Sequence, residues 1–92
     1  MGRQIVVTVL GQDQVGIVAR VATVLAENRV NIEDINQKIL GGNIFAMTLL
    51  ADMEKCPLSL SDLAGKLQDA VADMNLRVMV QDAEVFRYMH RV

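Results

Sequence analysis

Two segments of the sequence are apolar at nearly every position, and they constrain the fold more than any other feature. They cover residues 4–10 and residues 44–53. Both are rich in the β-branched and large apolar side chains that strands favour. A strand that is apolar on both faces has to be covered on two sides. Each segment is therefore expected to be a central strand of a sheet.

Two helices are predicted from apolar residues that recur at helical spacing. The expected buried stripe of the first helix consists of Val15, Val18, Val21, Ala22 and Leu25. The second helix is expected to begin after Ser59 or Ser61, because a serine hydroxyl can accept the first free N–H groups of a helix. Its expected stripe consists of Leu60, Leu63, Ala64, Leu67, Ala70, Val71 and Met74.

Two further strands are predicted, and both suit the edges of the sheet. Residues 30–40 carry many polar side chains, as edge strands do, and their isoleucines do not keep a period of two. A bulge is therefore expected near Glu33 and Asp34. The segment Gly41-Gly42-Asn43 predicts a tight hairpin. The last strand is expected over residues 76–81, where apolar and polar side chains alternate.

The order β-α-β-β-α-β predicts an α+β fold, the ferredoxin-like sandwich. Right-handed crossovers place both helices on one face of a four-stranded antiparallel sheet, with the first and third strands at its centre. Residues 82–92 are expected to add a short C-terminal helix through Val85, Met89 and Val92. The other face of the sheet is apolar too, so this tail or a second subunit is expected to cover it.

The size and composition of the chain limit the number of domains and the classes of molecule that it is expected to bind. A chain of 92 residues is expected to form one domain over residues 1–92, and its 52% hydrophobic content favours a homodimer or higher homo-oligomer. The net charge of −2 gives no electrostatic reason to bind nucleic acid or a membrane surface. The single cysteine and the lack of a targeting or spanning segment favour a cytoplasmic protein.

The connection between the first strand and the first helix, residues 10–18, is the strongest candidate site. Gly11 is expected to let the chain leave the strand sharply, and Asp13 to serve as the N-cap of the helix. Gly16 is expected in the first helical turn, at a negative φ, where its missing side chain leaves room for a ligand. The free N–H groups and positive end of a helix attract anions. The alternative is a compact connection that binds nothing.

Other residues give weaker signals. Asn31 opens the second strand, far from this turn in its own subunit, but it can meet the turn of another subunit. Cys56 and His90 show no spacing that would make them a catalytic pair. There are too few Cys and His for a zinc site, and no loop spacing makes a hard-cation site of the acidic residues. No catalytic residue, metal or cofactor is therefore expected.

Two motifs resemble those of the ACT domain. They are residues 7–18, Val-Thr-Val-Leu-Gly-Gln-Asp-Gln-Val-Gly-Ile-Val, and residues 29–35, Arg-Val-Asn-Ile-Glu-Asp-Ile. The end of the chain, residues 86–92, is similar to that of small stand-alone ACT proteins of bacteria and archaea. The resemblance implies a ferredoxin-like fold, side-by-side dimers and regulation by amino acids bound between subunits.

The resemblance also implies where a ligand would bind. In amino-acid-binding members the contacts fall where Gly11, Asp13, Gly16 and Asn31 stand here. Gly11 replaces a histidine of some binders, and Asp13 replaces an asparagine. Arg29 stands where glycine is common, so the left-handed residue at the end of the first helix is expected to be Asn28 instead.

These observations lead to one functional hypothesis and one alternative. The hypothesis is a non-enzymatic regulatory module that binds an amino acid at a dimer interface and acts on a separate protein partner. The ligand carboxylate would take backbone N–H groups along Gln14, Val15, Gly16 and Ile17, while Asp13 and a second subunit's Asn31 would hold its amino group. The alternative is a protein–protein interaction module without a ligand.

Overall fold

The computed structural model describes residues 2–85, and its elements follow the predicted order β-α-β-β-α-β. The strands are β1 (Gln4–Gln12), β2 (Asn31–Leu40), β3 (Ile44–Asp52) and β4 (Leu76–Asp82). The helices are α1 (Ile17–Glu27) and α2 (Leu60–Ala70), with a 3₁₀ turn at Ala72–Met74. The ferredoxin-like fold class is confirmed.

The sheet has the order β2-β3-β1-β4, and every neighbouring pair is antiparallel. The two strands that are apolar on both faces, β1 and β3, lie at its centre as predicted. β2 is an edge strand, and its register against β3 shifts between Ile32 and Asp34, which confirms the bulge. The hairpin from β2 to β3 turns on Gly41 and Gly42, whose φ values are 57° and 86°.

The core face of α1 differs from the predicted stripe. The helix begins at Ile17 and buries Ile17, Val21 and Leu25 against the sheet. Val15 precedes the helix and is 97% exposed, and Val18 is 36% exposed. The prediction that Val15 and Val18 are buried was wrong. Val15 lies in the turn before the helix, and the buried face is set by Ile17, Val21 and Leu25 at a spacing of four residues, which leaves Val18 to one side of it.

The end of α1 also differs from the prediction. Asn28 has a φ of −104°, and its side-chain Nδ2 donates a hydrogen bond to the carbonyl of Val24 at 2.8 Å. Arg29 takes the left-handed conformation instead, with a φ of 60°. A side chain with a Cβ is disfavoured there, so the backbone of this chain holds an arginine where glycine would be unstrained.

The start of α2 follows the prediction. Ser59 is the N-cap, and its hydroxyl accepts a hydrogen bond from the N–H of Asp62 at 3.1 Å. Leu63 and Leu67 are fully buried. The helix ends at Ala70, and the chain then tightens into the 3₁₀ turn.

The face of the sheet opposite the helices, here called the outer face, is partly apolar. It carries Leu10, Leu40, Ile44 and Met79, which are between 42% and 48% exposed. A helix begins at Ala83, directly after β4. Met89 and Val92, which the sequence predicts to belong to this terminal helix, lie outside the described residues. Within residues 2–85 no helix is long and apolar enough to cross a membrane.

Candidate functional site

The turn between β1 and α1 ends at Gly16, which is the N-cap residue of α1. Gly16 has φ 95° and ψ 2°, and no side chain caps the helix. The predictions of Asp13 as N-cap and of a negative φ at Gly16 were both wrong. The chain uses residues 13–16 for the turn itself, so the helix begins too far along for the carboxylate of Asp13 to cap it.

The N-terminus of α1 is left open. The backbone N–H groups of residues 15–19 form no hydrogen bond with any residue of the described range 2–85. The first turn of α1 also contains no acidic residue. A helix start of this kind carries roughly half a positive charge and several free donors, which suits a carboxylate. A Cβ at Gly16 would meet nothing within 4 Å, so the surface above these groups is clear.

Two sets of hydrogen bonds hold the turn in place. The side-chain amide of Gln14 donates to the carbonyl oxygens of Gln12 at 3.0 Å and Met74 at 2.8 Å. On the other side, the N–H of Asp13 donates to the carbonyl of Asn43, in the β2–β3 hairpin, at 2.7 Å. Gln14 therefore anchors the turn to the body of the domain, and Asp13 joins it to the end of β2.

Gly11 has a role that differs from the one expected. It lies inside β1, paired with Phe45 on one side and Leu76 on the other, so the sharp exit predicted there was wrong. A Cβ on Gly11 would lie 2.7 Å from the Cδ2 of Leu76 and 3.0 Å from the carbonyl oxygen of Asn75. Close packing against the start of β4 requires glycine here, and a histidine would force β4 to shift.

Asn31 lies at the opposite end of the sheet. It pairs with Asp52, which in turn faces Gln4 at the start of β1. The eight strand steps from Gln4 to Gln12 span about 26 Å, so one chain does not bring Asn31 to the turn, as expected. Asn31 lines an open recess of about 640 Å³ with Arg29, Val30 and Lys55. Lys55 had no signal in the sequence, because it belongs to no motif.

The remaining predicted candidates form no catalytic or metal site in the described residues. Cys56 is half-buried against the core, and His90 lies outside the described range. No group of three His, Cys, Asp or Glu side chains in residues 2–85 could hold a metal ion. Across the helices, the guanidinium of Arg20 donates to the carboxylate of Asp73 and lowers the pKa of that carboxyl.

The fold and the turn together define a ferredoxin-like domain with an open helix N-terminus at one end of its sheet. The family model of the ACT domain matches residues 3–81. A UPF0237 protein of Methanocaldococcus jannaschii is 43% identical over 89 residues, which is 97% of this chain and 98% of the relative. Another, of Methanopyrus kandleri, is 46% identical over 87 residues, 95% of this chain and 96% of the relative. The chain therefore belongs to the ACT domain family.

Solved structures agree with this assignment. An ACT domain protein from Streptococcus pneumoniae is similar with a TM-score of 0.79 and 28% identity, covering 94% of this chain and 96% of that one. The regulatory subunit of aspartate kinase from Thermus thermophilus has a TM-score of 0.67 and 20% identity, over 88% of this chain and 52% of that one. The second likeness shows a shared fold alone. ACT domains are generally regulatory, ligand-binding modules.

Proposed function

We propose that this protein is a non-enzymatic regulatory module that binds an amino acid between two copies of the chain. The observation that carries the proposal is the start of α1, where no backbone carbonyl of residues 2–85 accepts a hydrogen bond from the N–H groups of residues 15–19. The general role of ACT domains supports the regulatory part. The protein that the module regulates is a separate partner in this proposal.

The turn offers partners for both charged groups of an amino acid. The α-carboxylate takes the free N–H groups of Val15 and Gly16, beside the buried Ile17, where the helix charge favours an anion. Asp13 is exposed, and its side chain makes no hydrogen bond within the described residues. Its carboxylate is therefore available to the ligand ammonium group. A charge-assisted hydrogen bond of this kind is stronger than a neutral one.

The edge strand β2 is the surface that a second copy would cover. All ten of its residues are exposed, although the strand belongs to a well-paired sheet. Ile32, Ile35 and Ile39 point to the side of the sheet that carries the helices, yet they are 36%, 42% and 49% exposed. A long uncovered edge with apolar side chains is a ready surface for pairing with another strand. Antiparallel pairing of two β2 strands would bury it.

Such pairing would also complete the site. In an antiparallel pair the start of one β2 lies beside the end of the other, so Asn31 of one copy falls next to the Gly41-Gly42-Asn43 hairpin of the second. That hairpin touches the turn through the bond from Asp13 to Asn43. A two-fold symmetric dimer then holds two identical sites, each with a turn from one copy and Asn31 from the other.

The test is a thermal-shift screen of the purified protein against the twenty amino acids. A ligand that binds only the native state raises Tm by mass action. The Asp13→Asn variant is expected to lose most of the shift, whereas Asp69→Asn, which removes an exposed carboxylate of α2, is expected to keep it. Equal shifts in both variants would place the ligand away from the turn.

A protein–protein interaction module is the second candidate, and the outer face favours it. Leu10, Leu40, Ile44 and Met79 leave an apolar surface open to a protein partner. If none of the twenty amino acids shifts Tm, this reading replaces the first.

A further inference from the structure

We infer that the recess beside Asn31 binds the side-chain carboxylate of the ligand, so that the amino acid recognised is a dicarboxylic one. This inference rests on the proposed function. Once Asn31 of one copy lies at the turn of the other, the recess around Asn31 faces the side chain of the bound amino acid.

The charge of the recess is the first argument. Its lining consists of Arg29, Val30, Asn31 and Lys55, which are two cations, one amide and no acid. Neither Arg29 nor Lys55 forms a salt bridge with any of the described residues. Two cations without an ion-pair partner in residues 2–85, beside a hydrogen-bonding amide, suit an anion that can accept from all three.

The conformation of Arg29 is the second argument. Its φ of 60° is one that side chains with a Cβ rarely adopt, and glycine would take it without strain. The backbone conformation therefore gives no reason for an arginine at this position. Arg29 comes two residues before Asn31 and lines the recess with it, so its guanidinium can bind a carboxylate in bidentate fashion.

Two acids lie close to the recess. Asp52 and Glu54 line a smaller adjoining recess of about 310 Å³ that also includes Arg29, Asn31 and Lys55. One carboxylate oxygen of Asp52 accepts the N–H groups of Arg3 and Glu54, both at 2.9 Å. Glu54 has a partner of its own. Hydrogen bonds from N–H groups leave the negative charge of Asp52 in place, so the two acids offset part of the positive charge on one side. On the side of the larger recess, Arg29 and Lys55 meet no acid among the described residues.

The three charges of a dicarboxylic amino acid then find three matched places. The α-carboxylate lies at the open start of α1, the ammonium at Asp13, and the second carboxylate at Arg29 and Lys55 of the other copy. Glutamine and asparagine have nearly the same shapes as glutamate and aspartate but lack the second negative charge. Their comparison isolates the contribution of the recess.

The test is calorimetric titration of the wild-type protein with glutamate, glutamine, aspartate and asparagine at low ionic strength. The better of the two acids is expected to bind at least about tenfold tighter than its amide. In Arg29→Gly, which keeps the backbone conformation, and in Lys55→Gln, the ratio is expected to fall below about threefold. Lys66→Gln, which removes an exposed cation of α2, is expected to leave the ratio unchanged.

The possible outcomes separate this inference from the proposal beneath it. If a neutral amino acid binds as tightly as either acid, the inferred role of the recess is wrong and the proposed function stands. If the preference for an acid is unchanged in both Arg29→Gly and Lys55→Gln, the recess does not bind the second carboxylate. Competition by inorganic phosphate as strong as that by glutamate reduces the recess to a general anion site and overturns the ligand class. Absence of binding by all twenty amino acids overturns both statements.

Discussion

Gly16 sets the direction of α1 through its backbone conformation. Its φ of 95° is open to glycine and strained for side chains with a Cβ. Because open space surrounds the position of a Cβ, the conformation, and not crowding, explains the glycine. A substitution there therefore changes the stability of the fold as well as access to the N–H groups.

Gly16→Val is expected to lower the free energy of unfolding by about 1–3 kcal/mol, the usual cost of a strained backbone conformation. Gly16→Asn is expected to cost less, since asparagine tolerates left-handed conformations better than valine does. Urea denaturation at fixed protein concentration measures both. A Gly16→Val protein as stable as the parent would contradict the conformation described here.

Asp13 offers the complementary test of the same turn. Loss of a side-chain N-cap costs typically about 1 kcal/mol, but Gly16, not Asp13, is the N-cap of α1. Asp13→Ala is therefore expected to change the free energy of unfolding by less than about 0.5 kcal/mol. A loss near 1 kcal/mol in the same denaturation experiment would mean that Asp13 caps the helix after all.

Between the elements, one ion pair joins α1 to the segment after α2. The guanidinium of Arg20 binds the carboxylate of Asp73 and donates to the carbonyl of Ala70 at 3.2 Å. Hydrogen bonding to Arg20 is the largest cause that lowers the pKa of Asp73. A carboxyl with a depressed pKa in the folded state adds stability above its unfolded pKa, and this is lost as pH falls through the folded value.

Arg20→Met is therefore expected to lower Tm slightly at pH 6 and to have a smaller effect in acid, once pH falls below the lowered pKa of Asp73 and its carboxyl takes up a proton. Melting curves of the parent and the variant across this pH range measure the difference. An effect that grows as pH falls would contradict the ion pair. Both side chains are well exposed, so added salt is expected to weaken the effect.

At the scale of the strand, the charges of β2 predict how two copies pair. Residues that face each other in an antiparallel pair must point to the same side of the sheet. A register centred on Asn36 satisfies this condition and places Asp34 of one strand opposite Lys38 of the other. Both residues lie on the outer face, next to Leu50 and Ala46 of β3.

Asp34→Lys alone is expected to weaken the dimer, because it sets two lysines against each other. The double variant Asp34→Lys, Lys38→Asp is expected to restore it. Sedimentation equilibrium measures both, with Asp69→Lys on α2 as the control for net charge. A monomeric wild-type protein at micromolar concentration would contradict the pairing. An unchanged dimer dissociation constant in both variants would contradict it as well.

At the scale of the whole molecule, the architecture could be read from the sequence because burial dictates it. Because β1 and β3 are apolar on both faces, they are expected at the centre of the sheet, which is where they lie. The bulge at Ile32 and Asp34 could be predicted for the same reason, since the isoleucines have to return to one face. Hydrophobic patterning is a property of many residues together, so small errors in bounds do not disturb it.

The detail of the site could not be read in the same way. The left-handed conformations of Gly16 and Arg29 each depend on one backbone dihedral that no pattern marks. The packing of Gly11 against Leu76 joins segments 65 residues apart, and the recess beside Asn31 needs Lys55, which follows the end of β3. Such features arise from tertiary contacts, which local sequence signals do not report.

Each proposed binding site contains a turn from one copy and Asn31 from the other, so mixing two defective variants tests the shared site directly. Asp13→Asn and Asn31→Ala dimers are each expected to lose binding at both sites. When the two variants are unfolded and refolded together, each mixed dimer regains one intact site, so about a quarter of all sites recover wild-type affinity in a statistical mixture. Calorimetric titration with the amino acid found in the thermal-shift screen counts these sites. Recovery near a quarter is the predicted result, and no recovery in a mixture shown to contain mixed dimers would contradict the shared site.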